Sequence, residues 1–305
     1  MEKTKTVPNR KIRTDTSGHV LKIASYVVIT FFAIMSIVPF ILLISGSFTS
    51  ESYIMKNGYG LFPHEATLDA YKLLFQNPDT IIGSYIVTIL ITAVGTAAGL
   101  IITAMTGYAL QRPDFAYRNI ISFYIYFTTL FSGGIVAYYI AIVKWLGLKN
   151  NYLAIILPMM VTSWNVILMK NFMKDIPHEI SESAMVDGAS NLRIFFRIIL
   201  PMSGPALATV GLFLALSYWN EWYNSMLFLD SNVTYRPLQL FLYNVVNKAE
   251  FIRRAGESAG IDASNIPMET TKLAVAVVAT GPVILFYPFV QKYFIKGITI
   301  GAVKG

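Results

Sequence analysis

The sequence predicts an all-α integral membrane protein with six transmembrane helices. Of its 305 residues, 55% are hydrophobic and only 13% are charged, whereas soluble domains carry about 25% charged residues. Apolar runs of about twenty residues, the length that crosses the hydrocarbon core of a bilayer, recur along the chain. The net charge of +7 is scattered around these runs and forms no basic stripe, so we expect no nucleic-acid partner. The chain has no cysteine, which excludes disulfides and thiol chemistry.

The predicted elements follow one another in a simple order. A basic arm covers residues 1–22, a transmembrane domain covers 23–295, and a short tail covers 296–305. The first apolar run is longer than the apolar core of a signal peptide, which has about 7–15 residues, so we interpret it as a span. The six spans are predicted at about 23–47, 82–110, 119–143, 152–170, 203–229 and 273–291.

Two spans contain small residues that shape their packing. Gly95 and Gly99 in the second span form a GxxxG pair that permits close helix approach. This approach serves either packing within the chain or a face against a partner subunit, and the sequence leaves both open. In the third span, Ser132-Gly133-Gly134 predicts a local weakening or kink of the helix.

The distribution of Lys and Arg predicts the orientation in the membrane. The N-terminal arm and the short loop 111–118 carry basic residues, which mark the cytoplasmic side. Both termini and the loop 175–201 are then cytoplasmic, and segments 48–81 and 230–271 are outside. The first outer segment is predicted to contain a short amphipathic helix, and the second to cap the outer mouth. The apolar face of that helix comprises Leu68, Tyr71, Leu74 and Phe75.

The loop 175–201 has the local signals of a helix on an elbow. Pro177 is suited to a helix start because it lacks an N–H group that would be unpaired there, and a short helix is expected over 178–186. Gly188 can adopt a positive φ and end that helix in a sharp turn. Ser190 can cap a second helix that returns to the membrane. This geometry predicts a small helix held away from the bilayer, in a position to dock onto another protein.

A polar and aromatic cluster lies toward the outer end of the fifth span. At helical spacing, Ser217, Glu221 and Asn224 are expected on one side. Aromatic faces beside hydrogen-bonding groups suit sugars, but an interfacial aromatic belt would have the same composition. Trp164 and Asn165 in the fourth span form a weaker candidate of the same type. The main cluster comprises Trp219, Asn220, Glu221, Trp222, Tyr223 and Asn224.

No catalytic or phosphate-binding motif is visible. The sequence has no Gly-rich loop ending in Lys-Ser or Lys-Thr after a predicted strand. The three histidines, His19, His64 and His178, are far apart and lack metal-ligand spacing. We therefore do not expect an enzyme, and an integral membrane enzyme is kept only as a minor alternative.

The loop 175–201 resembles the EAA loop of permease subunits of bacterial ABC importers. The family pattern is E-A-A-x3-G-x9-I-x-L-P, and Ser183 stands where the pattern has its first alanine. The matched and neighbouring positions, which the resemblance implies contact an ATPase subunit, are Glu182, Ser183, Ala184, Asp187, Gly188, Ala189, Ile198, Leu200 and Pro201.

Other segments extend the resemblance over nearly the whole chain. They are similar to the carbohydrate-uptake group of type I importers, in particular to the second member of the maltose-type permease pair. Two of them, FSGGIVAYYI at 131–140 and TGPVILFYPFVQKYF at 280–294, resemble the lipoprotein/polysaccharide branch of that group. The remaining matches are TLDAYKLLF at 67–75, Trp219 to Trp222, RPLQL at 236–240 and QKYFIKGITIGAVKG at 291–305.

The resemblance implies an assembly in the bacterial plasma membrane. It consists of a heterodimer with a second permease subunit, two cytoplasmic ATPase subunits and an extracytoplasmic solute-binding protein. This chain would bind no cofactor itself, because ATP and magnesium belong to the ATPase subunits. A carbohydrate would cross by alternating access, among membrane lipids. The alternative from another class is an ion-coupled secondary carrier that uses Glu221, although the internal repeat expected of such carriers is not evident.

Overall fold

The computed structural model describes residues 16–258 and 267–302, and within these ranges all regular structure is helical. The predicted all-α class is therefore confirmed. Residues 1–15 of the basic arm, 303–305 of the tail and 259–266 of the second outer segment lie outside the described residues. The helices are α1 (Thr16–Ser47), α2 (Glu51–Asn57), α3 (Asp69–Leu74), α4 (Pro78–Gln111), α5 (Arg118–Leu130), α6 (Gly134–Ile140), α7 (Leu153–Met159), α8 (Ser163–Met173), α9 (His178–Val186), α10 (Asn191–Ile194), α11 (Leu200–Met202), α12 (Gly204–Trp219), α13 (Tyr223–Phe228), α14 (Leu238–Ser258) and α15 (Glu269–Ala302).

Helix α4 is the central element of the fold. Its 34 residues extend about 51 Å at 1.5 Å per residue, and it contacts α5, α7, α8, α12 and α14. A Cβ atom on Gly95 would lie 2.4 Å from the ring of Tyr218, and one on Gly99 would lie 2.6 Å from the carbonyl oxygen of Met160. The GxxxG pair thus serves packing within the chain, since both glycines admit neighbours that any larger residue would displace.

Two buried clusters mark opposite ends of α4. Near its C-terminal end, Tyr108 packs in a cluster with residues of α8, α10 and α12. Near its N-terminal end, Ile81 packs with Leu74, Leu238 and Leu242. The loop 175–201 therefore lies at one end of the molecule, and the two predicted outer segments lie at the other.

Helix α1 presents an almost wholly apolar surface. Its segment His19–Ser47 is long and apolar enough to cross a membrane, and none of its most apolar window is buried by the rest of the chain. The end of α1 does approach α15, where a Cβ atom on Gly46 would lie 2.5 Å from the Leu273 side chain. An apolar helix with this exposure is suited to a lipid environment.

Several predicted spans are broken into shorter helices. The predicted kink of the third span is confirmed, because α5 ends at Leu130 and α6 begins at Gly134. α6 continues as a π-helical turn over Ala141–Trp145. In the fourth predicted span, α7 and α8 meet at a bend of 44°. Among the described helices two are long and apolar enough to span a membrane singly, or four spans result if each of two bent pairs counts as one.

The fifth predicted span is also interrupted. α12 ends at Trp219 and α13 begins at Tyr223, so residues 220–222 separate two helices. The expectation of one helical face shared by Ser217, Glu221 and Asn224 was therefore wrong. The physical reason lies in the hydrogen bonds of Glu221, described below.

Candidate coupling site and polar break

Helix α9 has the predicted bounds, His178–Val186. Pro177 precedes it with φ −56° and ψ 133°, an extended conformation from which the chain enters the helix. Ser183, which replaces the pattern's alanine, donates its hydroxyl hydrogen bond to the Glu179 carbonyl at 2.8 Å. A serine that bonds to its own helix in this way is compatible with the helical conformation. The departure from the family pattern therefore leaves the local fold intact.

Gly188 ends this helix with a positive φ of 79°. Its N–H donates to the Met185 carbonyl at 3.0 Å, and the N–H of Ala189 donates to the Ala184 carbonyl at 2.9 Å. Apart from its two chain neighbours, no residue that the structure describes has an atom within 4 Å of a Cβ built on Gly188. Glycine is therefore required by the backbone conformation, not by crowding.

The elbow continues into a second helical segment that enters the core. Ser190 accepts a hydrogen bond from the N–H of Arg193 at 3.4 Å, which confirms its predicted role as a helix cap. α10, a π-helical turn at Phe195–Ile199 and α11 follow. The segment then meets α12 at a bend of 84°.

The predicted coupling residues divide into an anchored set and an exposed set. Ala184, Ala189, Ile198 and Leu200 are half-buried against the cluster around Tyr108. The exposed set, which faces away from the chain, comprises Glu182, Ser183, Asp187, Gly188 and Pro201.

One exposed residue at this site was missed from the sequence. The side chain of Val186 at the end of α9 is 88% exposed. The sequence feature that could have identified Val186 is an apolar side chain beside acidic and polar neighbours at the end of a predicted helix. A projecting helix tip that combines carboxylates with an apolar residue can contact a complementary protein surface.

Arg112 is a second residue that sequence reasoning did not single out. Its guanidinium donates from Nε to Asp114 at 2.8 Å and from Nη1 to the side-chain oxygen of Asn191 at 2.7 Å, and its Nη2 also bonds to Asp114. It lies over the Tyr108 ring, 5.6 Å from the centroid, and its side chain is only 11% exposed. Arg112 therefore ties the end of α4 to the start of α10, directly after the elbow.

The contact with Arg112 shifts the pKa of Asp114. Hydrogen bonds from Arg112 lower the pKa of the Asp114 carboxyl below its ordinary 3.8. Since the folded-state pKa is lowered, this pair contributes to stability above the unfolded value and loses that contribution as pH falls through the folded value. Asp114 is about half exposed, so solvent screening reduces the contribution. The link between α4 and the elbow thus persists throughout the neutral range.

Glu221 occupies the break between α12 and α13, and its side chain is 7% exposed. Its carboxylate accepts hydrogen bonds from the N–H of Asn224 at 2.5 Å and the N–H of Ser225 at 3.1 Å. The Ser225 hydroxyl donates a third at 2.7 Å. The carboxylate thereby satisfies N–H groups in the first turn of α13, where the helix dipole also favours a negative charge. This capping explains why the chain starts a new helix here.

The other polar groups of this cluster also bond within the chain. The indole N–H of Trp219 donates to the Ala279 carbonyl at 3.1 Å. Asn220 donates to the Leu216 carbonyl at 2.9 Å. The side-chain oxygen of Asn224 accepts from the Tyr138 hydroxyl at 2.9 Å. These bonds fix the positions of the three residues around the break.

Aromatic rings from the predicted cluster remain accessible beside it. Trp222 and Tyr223 are 38% and 43% exposed, and the Trp222 ring stacks on Tyr243 of α14 with centroids 4.9 Å apart. In the fourth predicted span, Trp164 is exposed whereas Asn165 is buried. The predicted pair at 164–165 therefore does not present both side chains to one open surface.

The first predicted outer segment is held firmly to the chain. In α3, Leu74 is buried and Tyr71 stacks on Phe48 with centroids 5.0 Å apart, whereas Leu68 and Phe75, which flank the helix, remain exposed. Glu51 of α2 is also buried and was not predicted to matter. Its carboxylate accepts from the N–H groups of Glu269 and Thr270, each at 2.9 Å. Helix α15 thus begins on a carboxylate supplied by α2, as α13 begins on Glu221.

Within the described ranges, no group of three or more histidine or acidic side chains is arranged to hold a metal ion. The expectation that this chain binds no cofactor stays a prediction.

Comparisons with known proteins agree on one class, a membrane-embedded transport component. Residues 99–300 match the family described as "Binding-protein-dependent transport system inner membrane component". The chain therefore belongs to this family. It is a permease subunit of an ABC transporter and not an enzyme, which also removes the ion-coupled carrier as an alternative.

Individual relatives match over nearly their full lengths. The chain is 39% identical to the polygalacturonan/rhamnogalacturonan transport system permease protein YtcP of Bacillus subtilis (strain 168), over 90% of this chain and 94% of that protein. It is 38% identical to the protein LplC of the same organism, over 95% and 96%. Among solved structures, a chain of a bacterial ABC transporter involved in the import of the acidic polysaccharide alginate matches with a TM-score of 0.74. That match has 29% identity and covers 92% of this chain and 98% of the other.

Proposed function

We propose that this permease imports an oligosaccharide or another carbohydrate across the bacterial plasma membrane. Its partners are a second permease subunit, two cytoplasmic ATPase subunits that hold ATP and magnesium, and an extracytoplasmic solute-binding protein. Both termini and the elbow at Gly188 face the cytoplasm. The names of the relatives, which specify polysaccharide and oligosaccharide transport, support the substrate class.

The observation that carries the coupling proposal is the exposed helix α9 on a glycine elbow. A nine-residue helix whose charged residues face outward is suited to a cleft on an ATPase subunit, with Glu182 directed at a basic side chain there. The opposite face of α9 is anchored by Ala184 and the core beneath it. Movement of the ATPase subunits would therefore be transmitted to α10 and, through Arg112, to α4.

The proposed substrate path runs beside the break at residues 220–222. The accessible rings of Trp222 and Tyr223 supply apolar faces on which a sugar can stack. Trp164 supplies a further exposed ring, while Asn165 stays within the buried wall. Trp219, Asn220, Glu221 and Asn224 hold the backbone that positions these rings.

The coupling proposal is tested by comparing Glu182→Ala with Glu179→Ala. Both residues are exposed acids on α9, so a general effect of lost charge would be the same for both. Glu182→Ala is expected to reduce copurification of the ATPase subunits and uptake, because a broken partly buried ion pair costs up to about 3–5 kcal/mol. Glu179→Ala should retain both. Unchanged copurification and uptake for Glu182→Ala would contradict the assigned contact.

A further inference from the structure

A cavity of about 530 Å³ lies at the end of the molecule opposite α9. Its walls are the segment between α3 and α4, the stretch 231–236 and one face of α14. Ligand sites in proteins commonly have volumes of about 300–1,000 Å³. The cavity is therefore large enough to hold a small ligand or one end of a longer one.

The lining has the chemistry of a site for an anionic sugar. Arg236 and Lys248 supply two positive charges, and none of the described lining residues is acidic. Asn77 and Asn244 supply side-chain amides, while Phe241 and neighbouring aliphatic groups form an apolar floor. Arginine binds carboxylates through two parallel hydrogen bonds, amides bond to hydroxyls, and an apolar surface accommodates the C–H face of a sugar ring.

The two cations of the cavity differ from several basic residues at this end that are paired with acids. Lys149 pairs with Asp230, Arg254 with Glu250 and Lys272 with Glu269. Neither Arg236 nor Lys248 forms an ion pair with an acidic residue in the part of the chain that the structure describes. Their charges are therefore available to a ligand. Arg236 is also half-buried, so partial removal from water strengthens its interaction with an anion.

The floor of the cavity adjoins the proposed substrate path. Leu74, Phe241 and Val245 line the cavity and also belong to the buried cluster that includes Trp219. A ligand in the cavity would thus rest on the same packed layer that supports the break at 220–222. In the orientation proposed above, the cavity would receive a substrate before that substrate reaches the break at 220–222.

We propose that this cavity binds a carboxylate-bearing sugar unit of an acidic oligosaccharide, with Arg236 and Lys248 holding the carboxylate. The inference rests on the proposed function as a carbohydrate importer and adds the charge of the substrate and the place where it is recognised. Neutral sugars would lack the group that these two cations bind. An acidic surface of the solute-binding protein is the competing occupant, and the test below separates the two.

The experiment measures binding of tetragalacturonate to the assembled transporter in lipid nanodiscs, without the solute-binding protein. The matched probe is the fully methyl-esterified tetramer, which keeps the ring and hydroxyls but has no charge. The test variant is the double substitution Arg236→Gln and Lys248→Gln. The control is Arg254→Gln. Arg254 lies on α14, as Lys248 does, but it is already paired with Glu250. Thermal unfolding of each complex verifies that it is assembled.

The native complex is expected to bind the acid more tightly than the ester. The double variant should weaken binding of the acid by about tenfold or more and leave the ester unchanged, while the control matches the native complex. Equal binding of acid and ester, or unchanged binding of the acid by the double variant, would overturn the inference. The inference would also be overturned if the double variant docked the ligand-free solute-binding protein more weakly while its sugar binding did not change. ATP-driven uptake of only neutral oligosaccharides would remove the inference and leave the importer function standing, whereas absence of any ATP-driven carbohydrate uptake would remove both.

Discussion

Two buried carboxylates in this chain serve as caps for helices that begin inside the fold. Glu221 accepts three hydrogen bonds at the start of α13, and Glu51 does the same for α15. A buried charge is costly unless hydrogen bonds and opposite partial charge compensate it. At both positions the free N–H groups of a helix start supply that compensation. An acidic residue within an apolar segment is therefore explained here by backbone capping.

Glu221→Gln is expected to destabilise the protein with little change in the apparent affinity for substrate. Glutamine offers one acceptor oxygen, and its amide group would face N–H or O–H donors that lose their partner. An unsatisfied buried group costs about 1–3 kcal/mol. The measurements are the thermal unfolding of the purified complex and uptake against sugar concentration. Glu179→Gln, at an exposed position outside the assigned ATPase contact, is the control and should unfold and transport like the native protein.

The opposite pattern would assign the Glu221 carboxylate to the substrate. A changed half-saturation of uptake combined with an unchanged unfolding temperature would show that its three internal hydrogen bonds contribute little to stability. The carboxylate would then belong to the transport path.

Gly188→Val is expected to abolish coupling while the subunit still inserts. The positive φ of 79° at this position costs an L-residue about 1–2 kcal/mol, and a β-branched side chain more. The elbow would relax and rotate α9 away from its position. Gly204→Val is the control, because Gly204 also has open space around its Cβ position but no positive φ. Normal uptake by Gly188→Val at equal membrane abundance would contradict the elbow.

At the scale of elements, the elbow depends on a contact from a different part of the chain. Arg112 follows α4 directly and bonds to Asn191 in α10, so one half-buried guanidinium connects these two helices. Under the proposed coupling, a displacement of α9 would reach α4, which packs against α5, α7, α8, α12 and α14. The Arg112 contact thus connects the segment after α9 with the centre of the fold.

Arg112→Ala is expected to uncouple ATP hydrolysis from transport. The ATPase subunits should still bind, because α9 is unchanged, but uptake per ATP hydrolysed should fall severalfold as α10 loses its charged hydrogen bond. The control is Arg193→Ala, since Arg193 is exposed on the same helix as Asn191. The ratio of uptake to hydrolysis in proteoliposomes is the measurement. An unchanged ratio would reduce Arg112 to a packing role.

Local sequence signals predicted the elements around the elbow well. Pro177, Gly188 and Ser190 act within a few residues of themselves, so the bounds of α9 and the cap of α10 follow from the sequence. The break after Trp219 did not follow, because residues 220–222 contain neither Gly nor Pro and local signals therefore favour a continuous helix. It depends on a carboxylate that folds back on the next turn. The Arg112 contact joins residues 79 positions apart, a pairing that no local pattern reveals.

For the molecule as a whole, the positions of its two polar regions define its use. Helix α9 and its buried support lie at one end of α4, and the cation-lined cavity lies at the other. Between them, the broken segments place irregular backbone within an apolar bundle, as transport proteins do where a path must open. In the proposed function, one chain connects the end that docks an ATPase subunit with the end that receives the substrate.

The central claim is that ATP hydrolysis by partner subunits drives carbohydrate through this permease. The most direct measurement is sugar uptake into proteoliposomes that contain the assembled transporter, with the solute-binding protein and sugar outside. Two conditions are varied independently. ATP is either supplied inside the proteoliposomes or withheld, and ion gradients are either collapsed by ionophores or imposed and maintained. We expect uptake that requires internal ATP and continues when ion gradients are collapsed. Uptake that persists without ATP and follows an imposed ion gradient would contradict this account.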